Sequence, residues 1–180
     1  WLQDIQGEDS DGHNSIENSL IDIKSKNEDF NFNSKKNYIT INNEQTLDKW
    51  IEKIKVRKVV AIDTETDSLN VMIANLVGIS ISTDSGSACY IPLRHPSSDS
   101  FPQLSLDLVV EKMKPLLEDE KIIKVGQNIK FDAHIFLNYG IAIQGINEDT
   151  MLMSYILESN QSHGMDKLSK RYLGHECISY

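Results

Sequence analysis

The run Val59-Val60-Ala61-Ile62-Asp63-Thr64-Glu65-Thr66-Asp67 constrains this chain more than any other stretch. Four apolar residues lead directly into acids at alternate positions. A short apolar run closed by polar residues predicts a buried strand. Successive strand side chains point to opposite faces, so Asp63 and Glu65 project from one side, ~6.6–7 Å apart along the chain. Two like charges together at the end of a core strand repel each other. A divalent cation between them relieves the repulsion, and hard cations take oxygen ligands of this kind. The other reading is a strand that ends at Ile62, followed by solvated turn acids. The motif alone leaves both open.

Composition narrows the classes. At 180 residues the chain suits one domain with an additional segment. No apolar run approaches the ~18 residues of a membrane span, and no signal-peptide pattern is present. With Trp1 in place of Met, the sequence is expected to be a piece of something longer. Two cysteines, Cys89 and Cys177, make no disulfide framework, so a reduced, cytoplasmic setting is expected. With 18 Lys and Arg against 27 Asp and Glu, a net charge of −9 disfavours a protein that coats nucleic acid through a broad basic face. It leaves room for an enzyme that meets a phosphate through bound cations, which reverse the local sign.

Residues 1–37 are rich in Asp, Glu, Asn, Ser and Lys without a sustained apolar period, which predicts an acidic linker or tail. A marginal helix is possible at 15–23. The domain proper is expected over 38–180. Strands are predicted at 38–41, 59–63, 76–83, 88–92, 122–125 and 141–143, with the second to fourth forming a meander. Asn43 caps a helix whose stripe is Leu47, Trp50, Ile51 and Ile54. Ser105 caps another, which Pro115 should kink or restart. Further helices are expected from Asn128 to Tyr139, from Asp149-Thr150 to Leu157, and over 165–173, closed by Gly174. Strands interleaved with helices make an α/β domain on a mixed sheet.

A second acidic motif lies at a strand-to-helix junction, Gly126-Gln127-Asn128-Ile129-Lys130-Phe131-Asp132. Asn128 and Asp132, four apart, share a helix face ~6 Å apart along the axis. Taken singly, Asn128 could be a helix cap and Asp132 a first-turn acid favoured by the helix dipole. Asp149 reads as a capping residue.

The segments D-T-E-T-D-S-L, A-N-L-V-G-I-S-I-S, Y-I-P-L-R-H, L-L-E-D-E-K-I-I-K-V-G-Q-N-I-K-F-D and E-D-T-M-L-M-S-Y-I-L follow in order from about Tyr38. Together they resemble the 3′–5′ exonuclease (proofreading) domain of bacterial DNA polymerase I, a ribonuclease H-like exonuclease family. The resemblance implies a twisted, mixed five-stranded sheet flanked by helices. It implies catalytic, metal-binding roles for Asp63, Glu65 and Asp132, with two Mg²⁺ or Mn²⁺ ions in an intact site. It implies substrate contacts at Thr64, Leu69, Asn128, Phe131 and Tyr180, and a supporting cap at Asp149. The implied substrate is a single-stranded or frayed 3′ end of DNA, and the implied partner a polymerase domain of the same parent chain. The setting would be the bacterial cytoplasm, with the nucleoid, and no membrane.

One departure stands against these matches. The family's third motif, Tyr-x-x-x-Asp, does not occur within the last thirty residues. The domain is therefore expected to be C-terminally truncated, short of its fourth acid and of the tyrosine that orients the attacking water, and poorly active. Two other readings remain: a ribonuclease D-like exonuclease acting on RNA, and a catalytically silent exonuclease fold that braces a polymerase. The Y-I-P-L-R-H and L-L-E-D-E-K segments favour the polymerase.

Overall fold

The computed structural model describes residues 36–96 and 102–178. The predicted tail lies almost wholly outside them, as do its helix at 15–23 and Tyr180, while Asn37 already belongs to the first strand.

Among the described residues, six strands and five helices follow in the order β1 (Asn37–Thr40), α1 (Glu44–Arg57), β2 (Val59–Thr66), β3 (Leu76–Asp84), β4 (Ser87–Pro92), α2 (Leu106–Leu117), β5 (Ile123–Gly126), α3 (Ile129–Asn138), β6 (Ile146–Asp149), α4 (Thr150–Leu157) and α5 (Met165–Leu173). The sheet order is β1-β4-β3-β2-β5-β6. The meander β2-β3-β4 is antiparallel, while β1 on β4, β5 on β2 and β6 on β5 are parallel. The mixed α/β architecture is the expected one.

The helices begin where their caps dictate. Asn43 accepts the amide of Thr46 at 2.9 Å and Ser105 that of Leu108 at 3.3 Å, each satisfying a donor the helix cannot. The stripe Leu47, Trp50, Ile51 and Ile54 is buried, and α1 packs on β2, β3 and α2. Directly paired strand residues share a face, so Ile62, Ile81 and Cys89 meet in one row of the core and Ile79 and Ile91 in the next. Helix α2 runs unbroken through Pro115 to Leu117. The proline forgoes one bond, to the Glu111 carbonyl, and the burial of Met113, Leu116 and Leu117 around it keeps the last turn in line.

The sheet has one strand more than the family resemblance implied, and its last strand is not where the apolar pattern put it. Residues 141–143 are irregular although Ile141 is fully buried. Their donors are spent elsewhere: Ile141 N–H on the Phe136 carbonyl at 3.1 Å, Ala142 N–H on Glu118 Oε1 at 3.0 Å. With those amides satisfied by the ends of two helices, no ladder forms there. Pairing starts later, at the polar edge strand β6.

The opposite face of the sheet carries small and polar residues. Val125, Ala61, Ser82 and Ala88 make one row, Asp63, Ser80 and Tyr90 the next, and Glu65, Gly78 and Pro92 a third. A groove of about 360 Å³ runs over the first two rows, with Gln127, Thr150 and Met165 on its margin.

Candidate active site

Strand β2 does not end at Ile62. It continues through both acids to Thr66, so the turn-residue reading of Asp63 and Glu65 falls. Their register partners Ser80 and Gly78 are small; the groove lies open above Asp63 and Ser80, while the Tyr90 ring lies over Gly78. A bulge between Glu65 and Thr66 then releases the strand into the loop that follows. Burial, then the charges of Asp132 and Glu65, push the Asp63 carboxyl up to about 6.

Asp132 comes from the first turn of α3 and is 2% exposed. Its Oδ1 accepts the backbone N–H of Thr64 at 2.8 Å and the Thr64 hydroxyl at 2.7 Å. Burial raises its pKa, the two Thr64 bonds pull it down, and the charge of Asp149 adds to the rise. Thr64 is itself buried, and its hydroxyl is on Asp132. The three acids therefore converge on one strand end from two layers: Asp63 and Glu65 on the open face, Asp132 from the helical side. Among the described residues no three acidic, imidazole or thiol groups form a ready-made metal cage.

Asn128 is not a side-chain cap. It sits in the left-handed region at φ 59°, which asparagine tolerates, and its exposed side chain makes no capping bond. The capping falls to Asp149, whose Oδ1 takes the Asn128 amide and Oδ2 the Ile129 amide, both at 3.0 Å. The same Oδ1 takes the Met151 amide at 2.9 Å and that of Leu152 at 3.3 Å. One carboxylate thus serves the starts of α3 and α4. Gly126 fits beneath because an added Cβ would lie 2.9 Å from Cβ of Ile129. Phe131 is half-buried against the core.

Leu69 stands 91% exposed on the loop between β2 and β3, with Met72 and Ile73 also exposed. Sequence reasoning missed what holds this loop. Asp67 accepts the Asn75 backbone N–H at 2.7 Å and side-chain N–H at 2.8 Å, Arg94 Nη1 donates to Asn75 Oδ1 at 2.8 Å, and Asn138 donates to the Val71 carbonyl at 2.7 Å. Those hydrogen bonds hold the Asp67 carboxyl below its usual range. It also missed the support beneath the second motif. Gln127 Nε2 donates to the His163 carbonyl at 2.7 Å, and the buried His163 ring shares a 2.8 Å bond with Ser154 and lies against Tyr155. These contacts join residues too far apart in sequence for spacing to announce.

With this geometry in view, comparison with known proteins is decisive. A family model described as 3′–5′ exonuclease matches residues 38–179. The chain belongs to the 3′–5′ exonuclease family. Among curated relatives of this exonuclease, DNA polymerase I of Pseudomonas aeruginosa is 40% identical over 146 residues, covering 79% of this chain and 16% of that protein. The exonuclease chain thus spans about a sixth of the length of such relatives. Solved structures share the fold. The POL domain of Pol1 from M. smegmatis, in complex with DNA primer-template and dNTP, aligns with a TM-score of 0.63 at 19% identity, over 77% of this chain and 23% of that one. Brucella melitensis NrnC with bound Mg²⁺ aligns with a TM-score of 0.57 at 22% identity, over 82% and 66%. The fold is the ribonuclease H-like one that the motifs implied. Among the described residues no helix is long and apolar enough to cross a membrane.

Proposed function

We propose that residues 38–180 form a proofreading 3′–5′ exonuclease domain of a DNA polymerase I, with the acidic stretch 1–37 outside it. The observation that carries this reading is the junction of Asp63, Glu65 and Asp132 at the end of β2, tied by the two Thr64 bonds. The residues fit a divalent cation. They are hard oxygen donors, and burial, then the charges of Asp132 and Glu65, holds the Asp63 carboxyl up; a cation would offset both by favouring the ionised form.

Asp63, Glu65 and Asp132 would hold Mg²⁺ or Mn²⁺, two ions when the site is complete. Such ions, when bound, supply an activated water and stabilise the leaving 3′ oxygen at the scissile phosphodiester. The protein's own part is positioning. Thr64 fixes the Asp132 carboxylate and so sets it against Asp63. Leu69, presented by its braced loop, and Phe131 at the foot of α3 would contact terminal bases without reading their sequence. Tyr180, outside the described residues, would add an aromatic contact. Asn128 would offer its exposed amide to the strand being cut. The substrate would be a single-stranded or frayed 3′ end, which costs less to separate than a paired one. The domain would act beside a polymerase domain of the same parent chain, at the nucleoid in the bacterial cytoplasm.

Calorimetric titration with Mn²⁺ tests this reading. The wild-type chain should release binding heat that Asp63→Ala abolishes. Identical heats from both would favour an exonuclease fold retained as a scaffold. A labelled DNA oligonucleotide should also be shortened faster than an RNA of the same sequence, and the reverse order would favour a ribonuclease D-like activity.

A further inference from the structure

We propose that Tyr90, backed by His95, is a positioning residue for Glu65. The inference rests on the exonuclease reading and extends it to two residues outside the acidic motifs. Tyr90 on β4 pairs with Ser80, which pairs with Asp63, so it begins two strand spacings, about 10 Å, from that acid. Its ring does not stand upright on the sheet. A Cβ at Gly78 would lie 2.0 Å from the Tyr90 hydroxyl oxygen and 2.4 Å from Cζ. The phenol is therefore laid across bare backbone that a residue with a side chain would occupy. Gly78 is the register partner of Glu65, and neighbouring strands run about 4.8 Å apart. The lean thus carries the hydroxyl out of the Asp63 row and into the Glu65 row. It ends about one strand spacing from the Glu65 backbone, on the face where that carboxylate stands.

The hydroxyl is held at this point. Its oxygen lies 2.6 Å from His95 Nε2, with the two rings edge to face at 5.7 Å. His95 is in turn fixed through its backbone: its N–H donates to Gln103 Oε1 at 2.9 Å and its carbonyl accepts from Gln103 Nε2 at 3.0 Å. With the ring proton on Nε2, His95 donates to the phenol oxygen, and a hydroxyl that accepts such a bond becomes a stronger donor itself. A donor of that kind beside Glu65 restricts the carboxylate's orientation. Filling the sheet face alone would be served by phenylalanine, with no need of the imidazole or of the doubly bonded glutamine behind it.

Mn²⁺ binding, followed by the EPR signal of the free ion, tests this in the whole chain. Tyr90→Phe should weaken binding about 10-fold, as loss of a group behind a metal ligand commonly does, with an unchanged melting temperature. His95→Leu, which has no donor to give the phenol, should do the same. Adding Tyr90→Phe to Glu65→Gln should have no further effect, because the tyrosine acts through that carboxylate. Wild-type affinity in both Tyr90→Phe and His95→Leu, or multiplying effects in the double variant, would overturn the proposal while leaving the acid site intact. Unchanged Mn²⁺ binding in Asp63→Asn and Glu65→Gln would remove the exonuclease reading and this inference together. Should Tyr90→Phe fail to fold, His95→Leu, which lies beyond the sheet, decides the same question.

Discussion

Replacing Asp149 with alanine removes the N-terminal partner of two helices at once. Its two oxygens accept four amides, those of Asn128 and Ile129 at the start of α3 and of Met151 and Leu152 at the start of α4. Losing one N-cap costs ~0.5–2 kcal/mol, so two independent caps would cost ~1–4 kcal/mol. Ile129 is buried, which makes its orphaned amide hard to rehydrate and places the expected loss at about 2–3 kcal/mol. A domain of this size loses ~2–4 °C per kcal/mol, so the melting temperature should fall by roughly 5–10 °C. Asn43→Ala and Ser105→Ala, each removing a single cap, are internal references at about 1 kcal/mol apiece. Asp149→Asn keeps an acceptor but gives up the second oxygen and the charge at two helix starts, and should fall between. Urea unfolding at constant m-value measures all four. If Asp149→Ala proved no more destabilising than Asn43→Ala, the double-cap account would be wrong. The variant should also lose Mn²⁺ affinity beyond what Asn43→Ala loses, because the first turn of α3 carries Asp132.

Asp63 binds its proton more tightly folded, at about 6, than at its ordinary 3.8, so its share of stability is lost as pH rises through that window. Asp63→Asn should therefore stabilise the metal-free chain at pH 7 by about 1–2 kcal/mol, allowing for screening by water, and Mn²⁺ affinity should weaken below pH 6 as protons compete. Thr64→Val removes one of two bonds to a buried carboxylate at constant shape and should cost about 1–3 kcal/mol in urea unfolding, whereas a neutral result would mean Asp132 finds another donor. Lys124 is fully buried, its ammonium donating to the Asp119 carbonyl at 2.6 Å, and burial holds it down to about 8. The unfolded chain then holds this proton more tightly between pH 8 and 10.5, so stability relative to Lys124→Met should rise with pH across that range, by about 2 kcal/mol.

How far the site was legible follows from the range of each interaction. A period of two in Val59–Asp67 is local, and it placed Asp63 and Glu65 on one side before any contact was known. The strand-to-helix junction at Gly126–Asp132 was local too, and so were the Asn43 and Ser105 caps. Asp132 on Thr64 joins positions 68 apart, and nothing in either motif announces that the second acid seals onto β2 from the helical side. Asn128 was open to a capping reading because asparagine suits both a cap and the left-handed region. Only the distant Asp149, whose carboxylate already accepts the amides of Asn128 and Ile129, decides for the second. Strand β6 was hidden because Ile-Asn-Glu-Asp is an edge with little apolar face to show, while the more apolar 141–143 segment had its amides claimed by helix ends.

Gly78 makes the same point in the other direction. In the sequence it is a weak position inside a strand, where glycine sacrifices entropy and packing. Register alone gives it meaning, since it stands opposite Glu65 and beneath the Tyr90 phenol. Gly78→Ala should therefore act where a strand-propensity argument predicts a gain. The added methyl must displace the tyrosine, and Mn²⁺ affinity should fall together with the Tyr90–His95 contact even if the sheet itself becomes no less stable. A Gly78→Ala chain with wild-type affinity and an unshifted tyrosine would mean that the ring's lean is incidental to the acids beside it.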